Sequence, residues 1–87
     1  MTEPRMDEIG RVTIYFAKPS VAAVLLTAPL RVGETIYLKG HTTDFQQVVE
    51  SMEVDHVHVQ EAAAEQSVGI RVTGKCRKHD VVYKLAG

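Results

Sequence analysis

Short runs of β-branched and aromatic residues, cut apart by turn residues at fairly even intervals, run from one end of this chain to the other. Nowhere does a helix-length apolar stripe interrupt them. That pattern belongs to a small barrel or sandwich, and it removes most other architectures from consideration. Ile9–Phe16 places Val12, Ile14 and Phe16 on one face and Arg11, Thr13 and Tyr15 on the other, before Lys18-Pro19 breaks the run. Ser20–Leu26 is almost continuously apolar, as expected of a strand covered on both faces, although a buried helical turn has a similar pattern.

A turn through Val32-Gly33-Glu34, with Gly33 supplying a positive φ, leads into a strand over Thr35–Lys39 that ends at Gly40. Thr42–Val54 reads as a short polar link and then a long strand. Its apolar positions slip in parity, from Phe45 and Val49 to Val48, Met52 and Val54, which predicts a bulge or bend. Val57 and Val59 end a short piece. Glu61–Glu65 is locally helical but too short to be stable alone, so it is read as a turn or a single helical turn. Ser67–Thr73, with Val68, Ile70 and Val72 on one face, and Val81–Leu85, with Val81, Tyr83 and Leu85 on one face, complete the set. A polar, basic hairpin over Gly74–Asp80 joins them.

The expected fold is therefore all-β, a small closed antiparallel barrel of about six or seven strands, since closure removes exposed edges. Residues 1–8 lack periodicity and read as a flexible leader, leaving 9–87 as one domain. An 87-residue chain has no room for a second core. With 45% hydrophobic and 24% charged residues it has the composition of a folded domain rather than a disordered one. The single cysteine, Cys76, cannot form an intramolecular disulfide, and no apolar secretory segment opens the chain; both suggest a reducing cytoplasm. The longest run free of charge, Pro19–Leu30, is too short to span a bilayer, so no membrane role is expected.

A net charge of −1 argues against a strongly electrostatic nucleic-acid binder, but the charges are unevenly placed. Gly40–Ile70 holds Asp44, Glu50, Glu53, Asp55, Glu61 and Glu65 with no Lys or Arg. Arg71–Gly87 holds Arg71, Lys75, Arg77, Lys78 and Lys84 against Asp80 alone. A balanced total of this kind can conceal one positive and one negative face.

Four fragments follow in order: Ile9-Gly10-Arg11-Val12-Thr13, Leu30-Arg31-Val32-Gly33-Glu34-Thr35-Ile36, Val49-Glu50-Ser51-Met52-Glu53-Val54 and Val68-Gly69-Ile70-Arg71-Val72. As an ordered set spanning Ile9–Leu85 they resemble the second-domain β-barrel of elongation factor Tu and related translational GTPases. The Lys39–Phe45 segment resembles that of small stand-alone translation elongation factor-like proteins. A similar barrel also occurs as the C-terminal appendage of a collagenase-like peptidase family. Two Gly-Asp turns of the barrel pattern are replaced here, by Glu65-Gln66 and by His79-Asp80. Histidine tolerates a left-handed conformation better than most non-glycine residues.

The resemblance implies a non-catalytic module contacting RNA or a ribonucleoprotein. The candidate contact surface is Arg71, Lys75, Arg77, Lys78 and His79, with Tyr15, Tyr37 or Phe45 available for base stacking. Lys39, Gly40, His41, Thr42 and Thr43 form a second candidate loop, with an ordinary strand connection plugged by Phe45 as the alternative. The competing function is a protein–protein interaction or assembly domain acting in trans with a separately encoded enzyme, which suits the near-neutral charge.

No phosphate-binding Gly-x-x-x-x-Gly-Lys-Ser/Thr loop is present, so no nucleoside triphosphate is expected to bind, and no other cofactor is implied. Cys76 with His79 could form a nucleophile and base, but lacks an orienting carboxylate beyond Asp80, and an incidental loop cysteine is expected instead. His56 and His58 would put two imidazoles on one strand face, with Asp55 or His41 as a third ligand. A zinc site needs three or four, so no metal is expected.

Overall fold

In a computed structural model, which describes residues 5–86, ten strands form and no helix does. They are β1 (Arg5–Phe16), β2 (Val21–Leu26), β3 (Leu30–Arg31), β4 (Thr35–Lys39), β5 (Asp44–Val48), β6 (Met52–Val54), β7 (Val57–Val59), β8 (Glu61–Ala62), β9 (Ser67–Arg71) and β10 (Val81–Ala86). Eight of them make one antiparallel sheet in the order β5-β4-β10-β1-β2-β9-β6-β7, and β3 pairs with β8 in a small second sheet. The all-β expectation holds.

The closed barrel does not. The terminal strands β5 and β7 are not paired with each other, so no backbone ladder seals the sheet. Instead the side-chain amide of Gln47 on β5 reaches the stretch following β9. Its Nε2 donates to the Arg71 carbonyl at 2.8 Å, and its Oε1 accepts from the Thr73 N–H at 2.7 Å. One side chain offers a donor and an acceptor where a closed barrel would have a peptide unit.

Inside lie Ile9, Val12, Ala22, Val24, Leu26, Ile36, Leu38, Met52, Val68, Ile70 and Val82, all buried, with Leu30 and Ala62 added by the small sheet. β2 is covered on one face only: Ala22, Val24 and Leu26 point in, and Leu25 is exposed. On β10 it is Val82 that enters the core, so Val81, Tyr83 and Leu85 lie on the opposite, half-buried face. Of the leader expected over 1–8, residues 5–8 belong to β1, with Arg5 through Glu8 paired to Ala86 through Tyr83. Residues 1–4 lie outside the described residues.

β1 carries two register shifts. One, between Glu8 and Gly10, inserts Ile9 as an extra residue toward the core; the other, between Val12 and Ile14, inserts Thr13. An extra residue reverses the side-chain parity beyond it. Val12 is therefore buried as expected, but Ile14 and Phe16 turn outward, 52% and 48% exposed, and Tyr15 packs against the core in their place. The Thr13 hydroxyl holds this bulge by donating to the Ala23 carbonyl at 3.2 Å.

The parity slip over Thr42–Val54 has a larger meaning than a bulge. The chain leaves β5 at one end of the sheet and enters β6 near the other, so the expected single strand is two strands joined by a corner. The Glu61–Glu65 stretch supplies β8 and a turn, with no helical residue.

Three turns share one geometry. In Arg31–Glu34, Ala63–Gln66 and Arg77–Asp80 the fourth residue's N–H donates to the first carbonyl, at 3.2, 3.3 and 3.1 Å. Its side-chain oxygen in turn accepts from the first residue's N–H, at 2.8, 2.7 and 2.7 Å. The third residue has positive φ each time: Gly33 at 99°, Glu65 at 73° and His79 at 77°. Each turn delivers the chain directly into a strand of the main sheet: β4, β9 or β10.

Candidate binding surfaces

The Gly74–Asp80 segment is not a hairpin. β9 and β10 are separated in the sheet by β2 and β1, so residues 72–80 cross one end of the molecule. This crossing is tied down along its length. Val72 N–H donates to the Ser20 carbonyl, His79 N–H to Val12, and Val12 N–H returns a bond to Asp80, each at 2.8 Å. Val72, Cys76 and Asp80 face inward and are buried, while Lys75, Arg77, Lys78 and His79 are exposed.

The Lys39–Thr43 loop meets this crossing at the Asp80 carboxylate. Oδ2 of Asp80 accepts a hydrogen bond from the buried Thr43 hydroxyl and another from the Arg77 N–H. Gly40 lies so close that an added Cβ would collide with the carboxylate. Phe45 packs half-buried against the core, its ring beside Gly74, as the plug reading expects. The two candidate loops are thus one surface, pinned through a shared acid. Between them opens a cavity of about 350 Å³ lined by Tyr15, Thr42, Thr43, Lys75, Cys76 and Arg77.

Arg71 is not part of that surface. It ends β9 on the outer sheet face and lines a different recess with Pro19, Val21 and Ser51. Of the aromatic residues proposed for stacking, Tyr15 lines the cavity between the two loops while packing on the core, Phe45 packs on the core beside Gly74, and the Tyr37 hydroxyl donates to Asp44.

Cys76 is 3% exposed, and its thiol is pushed up to about 11 from 9.0, first by burial and then by the nearby Asp80 charge. A thiol in that state offers almost no thiolate near neutral pH. The carboxylate beside it, Asp80, is already occupied by Thr43 and Arg77, so the arrangement lacks an orienting acid for a nucleophilic centre among the described residues.

His56 and His58 do not share a strand face. Asp55 and His56 occupy the two-residue turn between β6 and β7, both with positive φ (52° and 64°), the backbone of a type I′ hairpin turn. Only His58 is on the strand, 3.9 Å from Glu53. Among the described residues no group of three or more His, Cys, Asp and Glu side chains comes together.

The outer sheet face was missed by the sequence reading, because it depends on the Thr13 bulge. Ile14, Phe16, Val21, Ala23 and Leu25 leave an apolar strip there beside Gly69. The signal that could have found it was the run of apolar residues of both parities in β2.

No protein-family model matches the chain. Over 82 residues, 93% of its length, it is 39% identical to an uncharacterized protease of Methanocaldococcus jannaschii, and it spans 20% of that relative's length. Two crystal structures of the C-terminal domain of a Geobacillus thermoleovorans protein classed as a U32 peptidase share its fold. One, a selenomethionine variant, has a TM-score of 0.83 at 20% identity, covering 87% of this chain and 96% of that one. The other has a TM-score of 0.82 at 22% identity, covering 87% and 89%. These relatives overturn the expectation of an elongation factor-like barrel, and with it the RNA or ribonucleoprotein function inferred for the basic segment. The short motifs behind that expectation fall on strands and on the turns between them, features of backbone geometry rather than of a ligand. No helix among the described residues is long and apolar enough to cross a membrane.

Proposed function

We propose that this chain is a peptidase-associated β-domain that binds rather than cuts. The observation that carries the reading is the match of 82 residues at 39% identity to one fifth of a protease, leaving four fifths of that relative to hold other parts. The chemistry of this chain supports it. Its one thiol is buried and held protonated, and its buried acid is bonded within the fold. What it presents outward is loops and an apolar sheet face, the equipment of an accessory domain that positions something for a catalytic neighbour. A single buried cysteine suits a reducing compartment.

The test has two arms. The purified chain, incubated with casein and with fluorogenic peptides, is expected to release nothing above buffer. The M. jannaschii protease, assayed with and without its matching 82 residues, is expected to lose turnover of protein substrates more than of short peptides when they are removed. Cleavage by the isolated chain, or equal activity of the two protease forms on both substrates, would overturn the reading.

A further inference from the structure

The parity reversal in β1 leaves Ile14 and Phe16 outside at the expense of their burial, and what they meet there is shaped. Each is a large apolar side chain left about half in water, away from the core it would otherwise join. The bulge that turns them out is held by its own hydrogen bond. Bulges commonly re-aim a side chain next to a working surface. Across the sheet from Ile14 the register runs through Ala23, Gly69, Glu53 and His58, one outward residue per strand from β1 to β7. Small residues in the middle of that row, with Phe16 and Val21 standing beside it, make a trough rather than a flat face.

Two recesses open along the trough, of about 290 and 260 Å³, and both are lined by Val21, Glu53 and Gly69. The larger has two unlike walls. Phe16, Val21 and Ala23 form an apolar one; Glu53 and Asp55, with the His56 imidazole beside them, form a polar and acidic one. The Asp55 side chain makes no hydrogen bond or ion pair among the described residues, and Glu53 lies 3.9 Å from the His58 imidazole. A long basic side chain matches both walls at once. Its methylene stem covers the apolar wall, its charged head meets the carboxylates, and the Phe16 ring adds a cation–π contact. Lys and Arg are the side chains with that combination of apolar stem and permanent charge.

We propose that this trough seats an extended polypeptide segment by inserting a lysine or arginine side chain between Phe16 and the Glu53–Asp55 pair. The claim that the segment is substrate on its way to a peptidase rests on the function proposed above; the recognition chemistry does not. The neighbouring recess, bounded by Pro19, Ser51 and Arg71, takes the adjoining residues of the same segment.

Fluorescence anisotropy with two labelled peptides tests this, acetyl-Ala-Val-Lys-Leu-Ala-amide and its glutamate counterpart. The lysine peptide is expected to bind at least about tenfold more tightly, with a preference that shrinks as salt screens the charges. Glu53→Lys with Asp55→Lys reverses the preference, and Phe16→Ser weakens the lysine peptide by about tenfold. Gly69→Leu fills the floor and abolishes binding. Its Cβ is accommodated, since the nearby atom is Val21 Cγ1 at 3.4 Å, and an unchanged urea midpoint checks that the variant is folded. Val48→Ser, an equally exposed apolar site on β5, leaves binding unchanged.

Equal binding of the two peptides, no binding of either, or indifference to Phe16→Ser and Gly69→Leu would overturn the proposal. A homodimer in sedimentation that Phe16→Ser dissolves would overturn it too, because the trough would then be filled by a second copy. If the lysine peptide binds as expected while the protease is indifferent to losing its matching residues, the trough stands and the peptidase association falls.

Discussion

Two regions of this molecule handle exposure in opposite ways. At the end crossed by residues 72–80, polar groups are taken inside and satisfied: Asp80 and Thr43 are buried, bonded to each other, and no buried side-chain polar atom among the described residues lacks a partner. On the outer face of β1 and β2, apolar groups that could have been taken inside are left in water. Burying a carboxylate is expensive unless it is fully bonded, and exposing Phe16 forgoes stabilisation with nothing internal gained. The first region holds the fold together. The second is where the fold gives something up, and such places are the ones to examine for function.

The largest effect expected from breaking this contrast is at the buried acid. Asp80→Ala strands the Thr43 hydroxyl and the Arg77 N–H, and should lower unfolding free energy by about 2–4 kcal/mol in urea titrations. A loss under about 1 kcal/mol would mean the two loops are held by other contacts. Cys76, in the same region, should react with iodoacetamide far more slowly than a free thiol at pH 8, since a shift from 9.0 to about 11 leaves about a hundredfold less thiolate. The sign of the linkage follows from that shift. The native state keeps a proton that the unfolded chain has lost, so stability contributed by the neutral thiol is complete below pH 9 and declines as pH rises toward 11.

On the other face effects should be smaller. Thr13→Val removes the bond to the Ala23 carbonyl and should cost about 0.5–1.5 kcal/mol, read from the shift of the urea midpoint. Phe16→Ser should cost less than about 1 kcal/mol, because half of the ring is already in water. A loss as large as that of Asp80→Ala would show that Phe16 is core after all, and the contrast between the regions would disappear.

Much of the strand inventory was legible in the alternation of residues, because a strand with one covered face must alternate. Ile36, Leu38, Val68 and Ile70 all face inward as their positions predict. The misreading within β1 has a local cause. An inserted residue reverses everything beyond it, and nothing in Val12-Thr13-Ile14 announces that Thr13 is the extra one, so the sequence places Ile14 and Phe16 on the same face as Val12.

Turns were legible in place. Gly33 could be read directly, and Glu65 and His79, which stand where the barrel pattern has a Gly-Asp turn, take the same left-handed conformation without glycine. Their fourth residues, Gln66 and Asp80, carry the side-chain oxygen that completes each turn. The candidate site was half legible: the exposed cations were correctly read as a loop, but that the loop crosses the end of the sheet instead of returning beside its own strand is a fact of strand order, which local pattern does not encode.

The Gln47 bridge has a consequence for how this protein responds to its surroundings. An amide is neutral at every pH a cell reaches, and its partners are the Arg71 carbonyl at 2.8 Å, the Thr73 N–H at 2.7 Å and the uncharged Thr73 hydroxyl at 3.2 Å. The fastening between the two flanks of the sheet is thus indifferent to acid, alkali and salt, and whatever such conditions undo in this domain must begin elsewhere.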